Sequence, residues 1–117
     1  MNKTITSFGT AFIAPSEPLY SEIVEIGRHI ADSGFSVCSG GYSGSMEAIS
    51  KGAMNAGGNT IGIGIKGNES KPNAYTQEFF LAENLMERIL MLINKADAML
   101  YSAVVLERCS KFQLRWN

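Results

Sequence analysis

The chain contains 117 residues, of which 45% are hydrophobic and 18% are charged. This length fits a single domain, and the plentiful apolar residues exclude a low-complexity disordered chain. Ten basic and eleven acidic side chains give a net charge of −1, which provides no long-range attraction for a nucleic acid or an anionic membrane. We therefore expect neither as a partner, although backbone N–H groups can still build a local site for a small phosphorylated molecule.

The N-terminus and the cysteine content indicate the compartment. No apolar run approaches the roughly 20 residues that cross a bilayer, and the first six residues do not form a secretory signal. Cys38 and Cys109 are far apart and lack metal-ligand spacing, and His29 is the single histidine. We therefore expect a cytoplasmic protein with no disulfide framework, no metal and no cofactor of its own.

The first half of the chain predicts two strands around a helix. Residues 3–8 predict a strand that ends at Gly9. Ser16 is placed to cap a helix that ends at residues 33–34. Its apolar stripe has helical spacing and consists of Leu19, Ile23, Ile26 and Ile30. A second short strand is predicted over residues 35–38.

The second half continues the alternation. It predicts a helix over 45–56, a strand over 60–65, a loop over 67–74, a helix over 82–95 and a strand from 97 to about 105. Alternating strands and helices indicate the α/β class. We expect one Rossmann-like domain with a doubly wound parallel sheet in the order 3-2-1-4, truncated after about four strands.

A glycine-rich turn joins the second strand to the second helix, with the sequence Ser-Gly-Gly-Tyr-Ser-Gly-Ser-Met over residues 39–46. Glycine permits positive φ and close approach of the backbone to a ligand. The free N–H groups and the dipole of the helix start attract an anion, and Ser43 and Ser45 add hydroxyl donors. Two interpretations stay open: a phosphate site, or a tight turn that needs glycine for its geometry alone.

Two common phosphate motifs do not match this turn. The nicotinamide fingerprint places three glycines after the first strand and an acidic residue at the end of the second. Here the first turn offers Gly9, and the second strand ends in Cys38 and Ser39. The Walker loop also fails, because no Gly-Lys-Ser/Thr follows the glycines. The turn therefore predicts a nucleotide-like ligand without hydride transfer or nucleoside triphosphate hydrolysis.

Several segments together resemble one family. They are Ser-Phe-Gly-Thr-Ala at 7–11, Gly-Gly-Tyr-Ser-Gly-Ser-Met-Glu-Ala at 40–48, Ile-Gly-Ile at 61–63, and Arg88 nine residues before Asp97. In this combination the chain is similar to the LOG (lonely guy) proteins, long misannotated as lysine decarboxylases. The resemblance covers roughly residues 5–100, and residues 101–117 form an atypical tail.

The resemblance implies a Rossmann-like domain, usually dimeric, that hydrolyses the N-glycosidic bond of nucleoside 5′-monophosphates to a free base and ribose 5-phosphate. It implies a catalytic role for Arg88. From the turn and the resemblance together, the residues expected around the ligand are Gly9, Thr10, Ser39, Gly40, Gly41, Ser43, Gly44, Ser45, Met46 and Glu47.

The third predicted helix, residues 82–95, is apolar on two sides. One stripe consists of Leu85, Ile89 and Leu92, and the other of Met86, Leu90 and Ile93. Such a helix is buried either in the core or in a homodimer interface. Arg88 lies among these residues, where its guanidinium can bind a phosphate. It can alternatively pair with Glu83 or Glu87, or extend to the surface.

The tail departs from the family pattern. After the Ala-Asp-Ala strand the family has Pro-Gly-Gly-x-Gly-Thr and then a glutamate, whereas residues 101–111 here are Tyr-Ser-Ala-Val-Val-Leu-Glu-Arg-Cys-Ser-Lys. Codons for this segment, shifted in frame, are compatible with Gly-Gly-Thr-Gly-Thr-Leu-Leu-Glu from residue 103 onward. We hypothesise an out-of-frame end from about Ser102, which the gene sequence tests. We therefore expect impaired hydrolysis, and we keep a non-catalytic nucleotide or cofactor carrier and an inactive product as alternatives.

Overall fold

The computed structural model describes residues 3–9, 12–68 and 71–101. Its elements, in chain order, are β1 (Thr4–Phe8), α1 (Pro18–Asp32), β2 (Ser36–Ser39), α2 (Ser45–Asn55), β3 (Thr60–Ile65), β4 (Glu78–Ala82), α3 (Leu85–Lys95) and β5 (Ala98–Tyr101). The hypothesis about the tail from Ser102 onward and the expected ligand contact of Thr10 fall outside the described residues.

The strands form one parallel sheet in the order β4-β3-β2-β1-β5. The predicted α/β class is confirmed, and the predicted order 3-2-1-4 corresponds to β3-β2-β1-β5. Strand β4 was not predicted, and it adds a fifth strand at the edge of the sheet. It pairs with β3 from Glu78 opposite Ile61 to Ala82 opposite Ile65. Most of its side chains are exposed or partly exposed, so it lacks the hydrophobic alternation of a half-buried strand.

The helices cover both faces of the sheet. Helices α1 and α2 pack together on one face, and α3 lies against the other. Two glycines allow the backbones of α1 and α2 to approach closely. A Cβ on Gly27 would overlap the carbonyl of Ile49, and one on Gly52 would overlap the carbonyl of Val24. Small residues at the contact therefore permit the close packing of α1 and α2.

The helix boundaries differ from the predicted ones at two N-termini. Helix α3 begins at Leu85, after Asn84, whose side-chain oxygen accepts a hydrogen bond of 2.9 Å from the Glu87 N–H. Residue 82 belongs to β4, so the helix starts three residues later than predicted. Helix α1 follows Glu17 and has no side-chain cap. Within residues 3–9, 12–68 and 71–101, no helix has both the length and the apolar character needed to span a bilayer.

Candidate functional site

The glycine-rich turn lies at the carboxyl edge of the sheet, between β2 and α2. Open α/β sheets bind their ligands at this edge. Gly41 has a φ of 81° and Gly44 a φ of 70°, values that side chains other than hydrogen disfavour. The Ser39 hydroxyl oxygen accepts a hydrogen bond of 3.1 Å from the Gly41 N–H. Ser39 is fully buried at the end of β2, and this hydrogen bond fixes the start of the turn to the strand.

Helix α2 begins without a side-chain cap. Gly44 occupies the N-cap position, and the Ala48 N–H donates to its carbonyl at 3.0 Å as the first helical bond. The N–H groups of Met46 and Glu47 precede this bond and belong to the first turn, where the helix itself supplies no acceptor. Together with the helix dipole they favour an anion at this end. Ser45 is buried, whereas Ser43 is exposed.

Arg88 of α3 reaches the same turn from the opposite face of the sheet. Its Nε donates a hydrogen bond of 2.7 Å to the carbonyl oxygen of Ile63 in β3. Its Nη2 lies 3.9 Å from the Met46 sulfur. A Cβ added to Gly40 would overlap both the guanidinium and that sulfur. The structure therefore brings together three predicted site residues: Gly40 and Met46, expected around the ligand, and Arg88, expected to be catalytic.

The positive charge of Arg88 has no acidic partner in the described part of the chain. The predicted alternative partners are engaged elsewhere: Glu83 pairs with Lys66 at 2.6 Å, and the Glu87 carboxylate accepts from the Glu83 N–H at 2.7 Å. Burial lowers the pKa of the partly buried Arg88 guanidinium, although an arginine stays protonated in proteins. A partly desolvated cation without a counter-ion favours binding of an anion.

Tyr42 contributes to the site, although the sequence analysis gave it no role. The Arg88 Cζ lies 5.6 Å from the centroid of its ring. The Tyr42 hydroxyl oxygen accepts a hydrogen bond of 3.3 Å from the Ile65 N–H, and the ring meets Phe79 edge-on at 5.9 Å. The signal available in the sequence was an aromatic residue in the middle of a glycine-rich turn.

Asn73, in the connection between β3 and β4, is the second residue that sequence reasoning missed. Its backbone N–H donates to the Gly41 carbonyl at 2.8 Å, and its side-chain amide donates to the Tyr42 carbonyl at 2.7 Å. Its side-chain oxygen accepts from the Tyr75 N–H at 2.9 Å. Asn73 thus fixes the turn through the carbonyl groups of Gly41 and Tyr42. An asparagine in a polar loop carries no distinguishing pattern in the sequence.

Two further predicted site residues, Glu47 and Gly9, lie in surroundings different from those of Arg88. Glu47, in the first turn of α2, hydrogen-bonds the buried Tyr20 hydroxyl of α1, which donates to the carboxylate. Burial, together with the Glu47 charge, raises the pKa of Tyr20 to about 12. Lys51 follows one turn later, with its Nζ 5.8 Å from the ring centroids of Tyr20 and Tyr75. Gly9 is exposed just after β1, at the same edge of the sheet as the turn.

A separate cavity of about 340 Å³ lies between β1, the C-terminal half of α1 and the residue that precedes β2. It is bordered by Ile5, Ile26, His29, Ile30, Ser33 and Phe35. Four of these six side chains are apolar, and the cavity is lined by none of the predicted site residues. Across the described residues, no three histidine, cysteine or acidic side chains are grouped as metal ligands.

Comparison with known proteins identifies a family and several structures that this chain resembles. The model of a family described as the SLOG cluster4 family matches residues 2–104. The crystal structure of TM1055, a structural genomics target, has 27% identity and a TM-score of 0.74, covering 85% of this chain and 59% of that one. No curated protein matches the chain.

Two other similar structures carry functional names. One is a molybdenum cofactor binding protein from the bacterium Rippkaea orientalis, with 24% identity, a TM-score of 0.76, and coverage of 87% of this chain and 63% of that one. The other is the molybdenum cofactor carrier protein of Chlamydomonas reinhardtii, with 24% identity, a TM-score of 0.74, and coverage of 87% and 62%. At this identity the likeness shows the fold. The chain spans about three fifths of the length of the three structures.

Proposed function

Because this chain belongs to the SLOG cluster4 family, we propose that it binds the phosphate of a nucleoside 5′-monophosphate or a similar phosphorylated small molecule at the turn between β2 and α2. Family membership confirms the LOG-like resemblance predicted from the motifs. The ligand itself is our proposal, and it rests on the chemistry of the turn and of Arg88.

The observation that carries the proposal is the environment of Arg88. A guanidinium that is partly buried, in contact with Gly40, and without a carboxylate partner in the described part of the chain supplies one positive charge. The uncapped start of α2 supplies N–H groups and a favourable dipole beside it. Guanidinium and helix N-terminus are both suited to a phosphate, and their combination favours a phosphomonoester over a neutral ligand.

The finer proposal concerns the reaction. The LOG resemblance implies hydrolysis of the N-glycosidic bond, with Arg88 as the catalytic residue. Such cleavage passes through a cationic sugar, which requires a firmly held phosphate and a nearby carboxylate. Residues 102–117 do not contain the family's Pro-Gly-Gly-x-Gly-Thr loop followed by a glutamate. We therefore propose ligand binding with slow turnover or none.

The second candidate is a non-catalytic carrier of a phosphorylated cofactor. Two structures of the same fold are named for binding or carrying the molybdenum cofactor, and this favours a carrier role. The same anion site would serve either ligand, because both present a phosphate. The two candidates differ in whether the bound molecule is altered.

We also propose that the protein is a homodimer through α3. The apolar residues of this helix that lie exposed on one chain are Leu85, Met86, Ile89, Leu90 and Ile93. Only Leu92 of the helix is buried, so core packing within the described residues does not explain its apolar character. Phe80 and Leu81 of β4 extend the exposed apolar surface.

The test combines calorimetry and product analysis with AMP. Wild-type protein is expected to bind AMP. The Arg88→Lys variant keeps the positive charge but loses the paired N–H donors of the guanidinium, so it is expected to bind AMP about tenfold more weakly. Release of free adenine that Arg88→Lys abolishes would support hydrolysis. Binding without release would support the carrier. Wild-type protein that binds neither AMP nor ribose 5-phosphate would contradict the proposed function.

A further inference from the structure

Strand β2 ends before its neighbour β3, and side chains occupy the place of the missing backbone. The last pair between the two strands joins Ser39 to Gly62, whereas β3 continues to Ile65. Beyond that pair, the carbonyl of Ile63 and the N–H of Ile65 have no β2 residue to bond. Arg88 Nε donates to the first, and the Tyr42 hydroxyl accepts from the second. Buried backbone groups are rarely left unpaired, so these two side chains complete the edge of β3.

We propose that Tyr42 is a positioning residue for Arg88: it holds the guanidinium against the strand edge so that the remaining N–H groups face the anion. The inference rests on the proposed function of this site and adds a residue to it. The ring lies against the guanidinium, with 5.6 Å from its centroid to the Arg88 Cζ. This cation–π contact and the hydrogen bond to Ile63 restrain the guanidinium from two sides.

Contacts hold both the ring and the backbone of Tyr42. The hydroxyl accepts from the Ile65 N–H, the ring packs against Phe79 in an edge-on arrangement, and the backbone carbonyl accepts from the Asn73 amide. Gly64 lies directly against the Tyr42 hydroxyl, so a side chain there would displace the ring. A ring held in one place can therefore restrain the Arg88 guanidinium that contacts it.

The restraint leaves a defined set of donors for the ligand. The Nε of Arg88 is occupied by Ile63, and its Nη2 faces the Met46 sulfur. Its Nη1 has no hydrogen-bond partner among the described residues. Without the ring, the long arginine side chain would gain rotational freedom and lose this orientation, which lowers affinity for the anion.

The first test reads the Arg88 Nε–Hε resonance by NMR in the ligand-free protein. The resonance is assigned through its loss in Arg88→Lys. Tyr42→Leu is expected to remove the ring-current shift of this resonance and to accelerate its exchange with water, whereas Tyr42→Phe keeps the ring and retains the shift. Tyr75→Leu is the matched control, because that ring faces Lys51 and not Arg88. It is expected to leave the resonance unchanged.

The second test measures AMP binding by calorimetry for the same variants. Tyr42→Leu is expected to weaken binding about tenfold, and Tyr42→Phe is expected to restore most of the loss. An unchanged Arg88 resonance in folded Tyr42→Leu would overturn the inference. Because that reading needs no ligand, it is separate from the proposed function, whose failure would appear as wild-type protein that binds no AMP.

A third measurement covers the case in which Tyr42→Leu does not fold. In wild-type protein, nuclear Overhauser contacts are expected between the ring protons of Tyr42 and the side chain of Arg88. Their presence supports the assigned position. Their absence would overturn the inference without any variant.

Discussion

The missing side chain of Gly40 has a specific consequence at the scale of single residues. The space that a Cβ would occupy is taken by the Arg88 guanidinium and the Met46 sulfur. Glycine is therefore needed here for contact with an arginine, in addition to the turn geometry that Gly41 and Gly44 provide through their positive φ. Turn geometry therefore explains Gly41 and Gly44, whereas Gly40 leaves space for Arg88 and Met46; ligand binding by the turn stays a prediction.

Replacement of Gly40 with alanine tests this division. The new Cβ must displace the ends of the Arg88 and Met46 side chains, so we expect AMP affinity to fall about tenfold or more, with a small change in unfolding free energy because both side chains are flexible. Calorimetry and denaturant unfolding measure the two effects. The control is Gly34→Ala, because Gly34 has a φ of 90° and no atom close to an added Cβ. It should lose stability while it keeps the affinity, and equal affinities of both variants would contradict the role given to Gly40.

The hydroxyl of Tyr20 gives a pH-dependent prediction. Its pKa is raised from 10.0 to about 12, first by burial and then by the Glu47 carboxylate. The folded state therefore retains this proton when the unfolded state has lost it. The stability that depends on the neutral hydroxyl is complete below about pH 10 and is lost as the pH rises towards 12.

Tyr20→Phe removes this dependence. We expect the difference in unfolding free energy between the wild type and Tyr20→Phe to fall between pH 10 and 12 by no more than about 3 kcal/mol. Urea unfolding at several pH values measures it. The buried Cys38, whose pKa burial raises to about 11, titrates in both proteins and cancels in the difference. A difference that stays constant over this range would contradict the burial and pairing of Tyr20.

At the scale of elements, the contact between α1 and α2 depends on glycines in the middle of both helices. Glycine disfavours a helix by roughly 1 kcal/mol relative to alanine. Here its absence of a side chain allows Gly52 to contact the backbone of α1 at Val24 and Arg28. The glycines therefore lower the helix propensity of α1 and α2 but allow the two helices to pack closely over the β1–β2 side of the sheet.

Gly52→Ala separates the two effects. Helix propensity alone would stabilise the variant by roughly 1 kcal/mol, but the overlap with α1 is expected to make it less stable by about 1–3 kcal/mol. Thermal and denaturant unfolding give the sign directly. Met54→Ala on the same helix serves as a control, because Met54 is 38% exposed and a small change is expected. A stabilised Gly52→Ala would contradict the close packing.

The regular part of the fold could be predicted because its signals are local. The apolar stripe of α1, the β-branched alternation of β3 and the glycine-rich turn each follow from short-range patterns, and parallel order follows from their alternation. Strand β4 was missed because its side chains are largely exposed and because the described residues of its connection to β3 form no helix. Tyr42 and Asn73 were missed because their roles depend on where β2 ends relative to β3, which no local pattern encodes.

At the scale of the whole molecule, α3 and β4 expose apolar side chains that the packing of the described residues leaves uncovered. Met86 is 67% exposed and Leu90 is 51% exposed, in positions where a monomer would carry polar side chains. The family match ends at residue 104, close to the position where the tail departs from the LOG pattern. The frame-shift hypothesis for that tail stays a prediction.

Sedimentation equilibrium tests the proposed homodimer. At micromolar concentration we expect a mass of about twice the 12.7 kDa of one chain. The Met86→Lys, Leu90→Lys double variant is expected to sediment as a monomer, because two charges would be buried in the interface. Met54→Lys, on an exposed position of α2, is the control that should remain dimeric. A monomeric wild type would contradict the interface through α3.

The most direct measurement of the central claim is the crystal structure of the protein soaked with ribose 5-phosphate. The account predicts a phosphate at the start of α2, accepting hydrogen bonds from the N–H groups of Met46 and Glu47 and from Arg88 Nη1, with Tyr42 still against the guanidinium. A turn that stays empty at saturating ligand, or a phosphate bound at the cavity beside His29 instead, would contradict it.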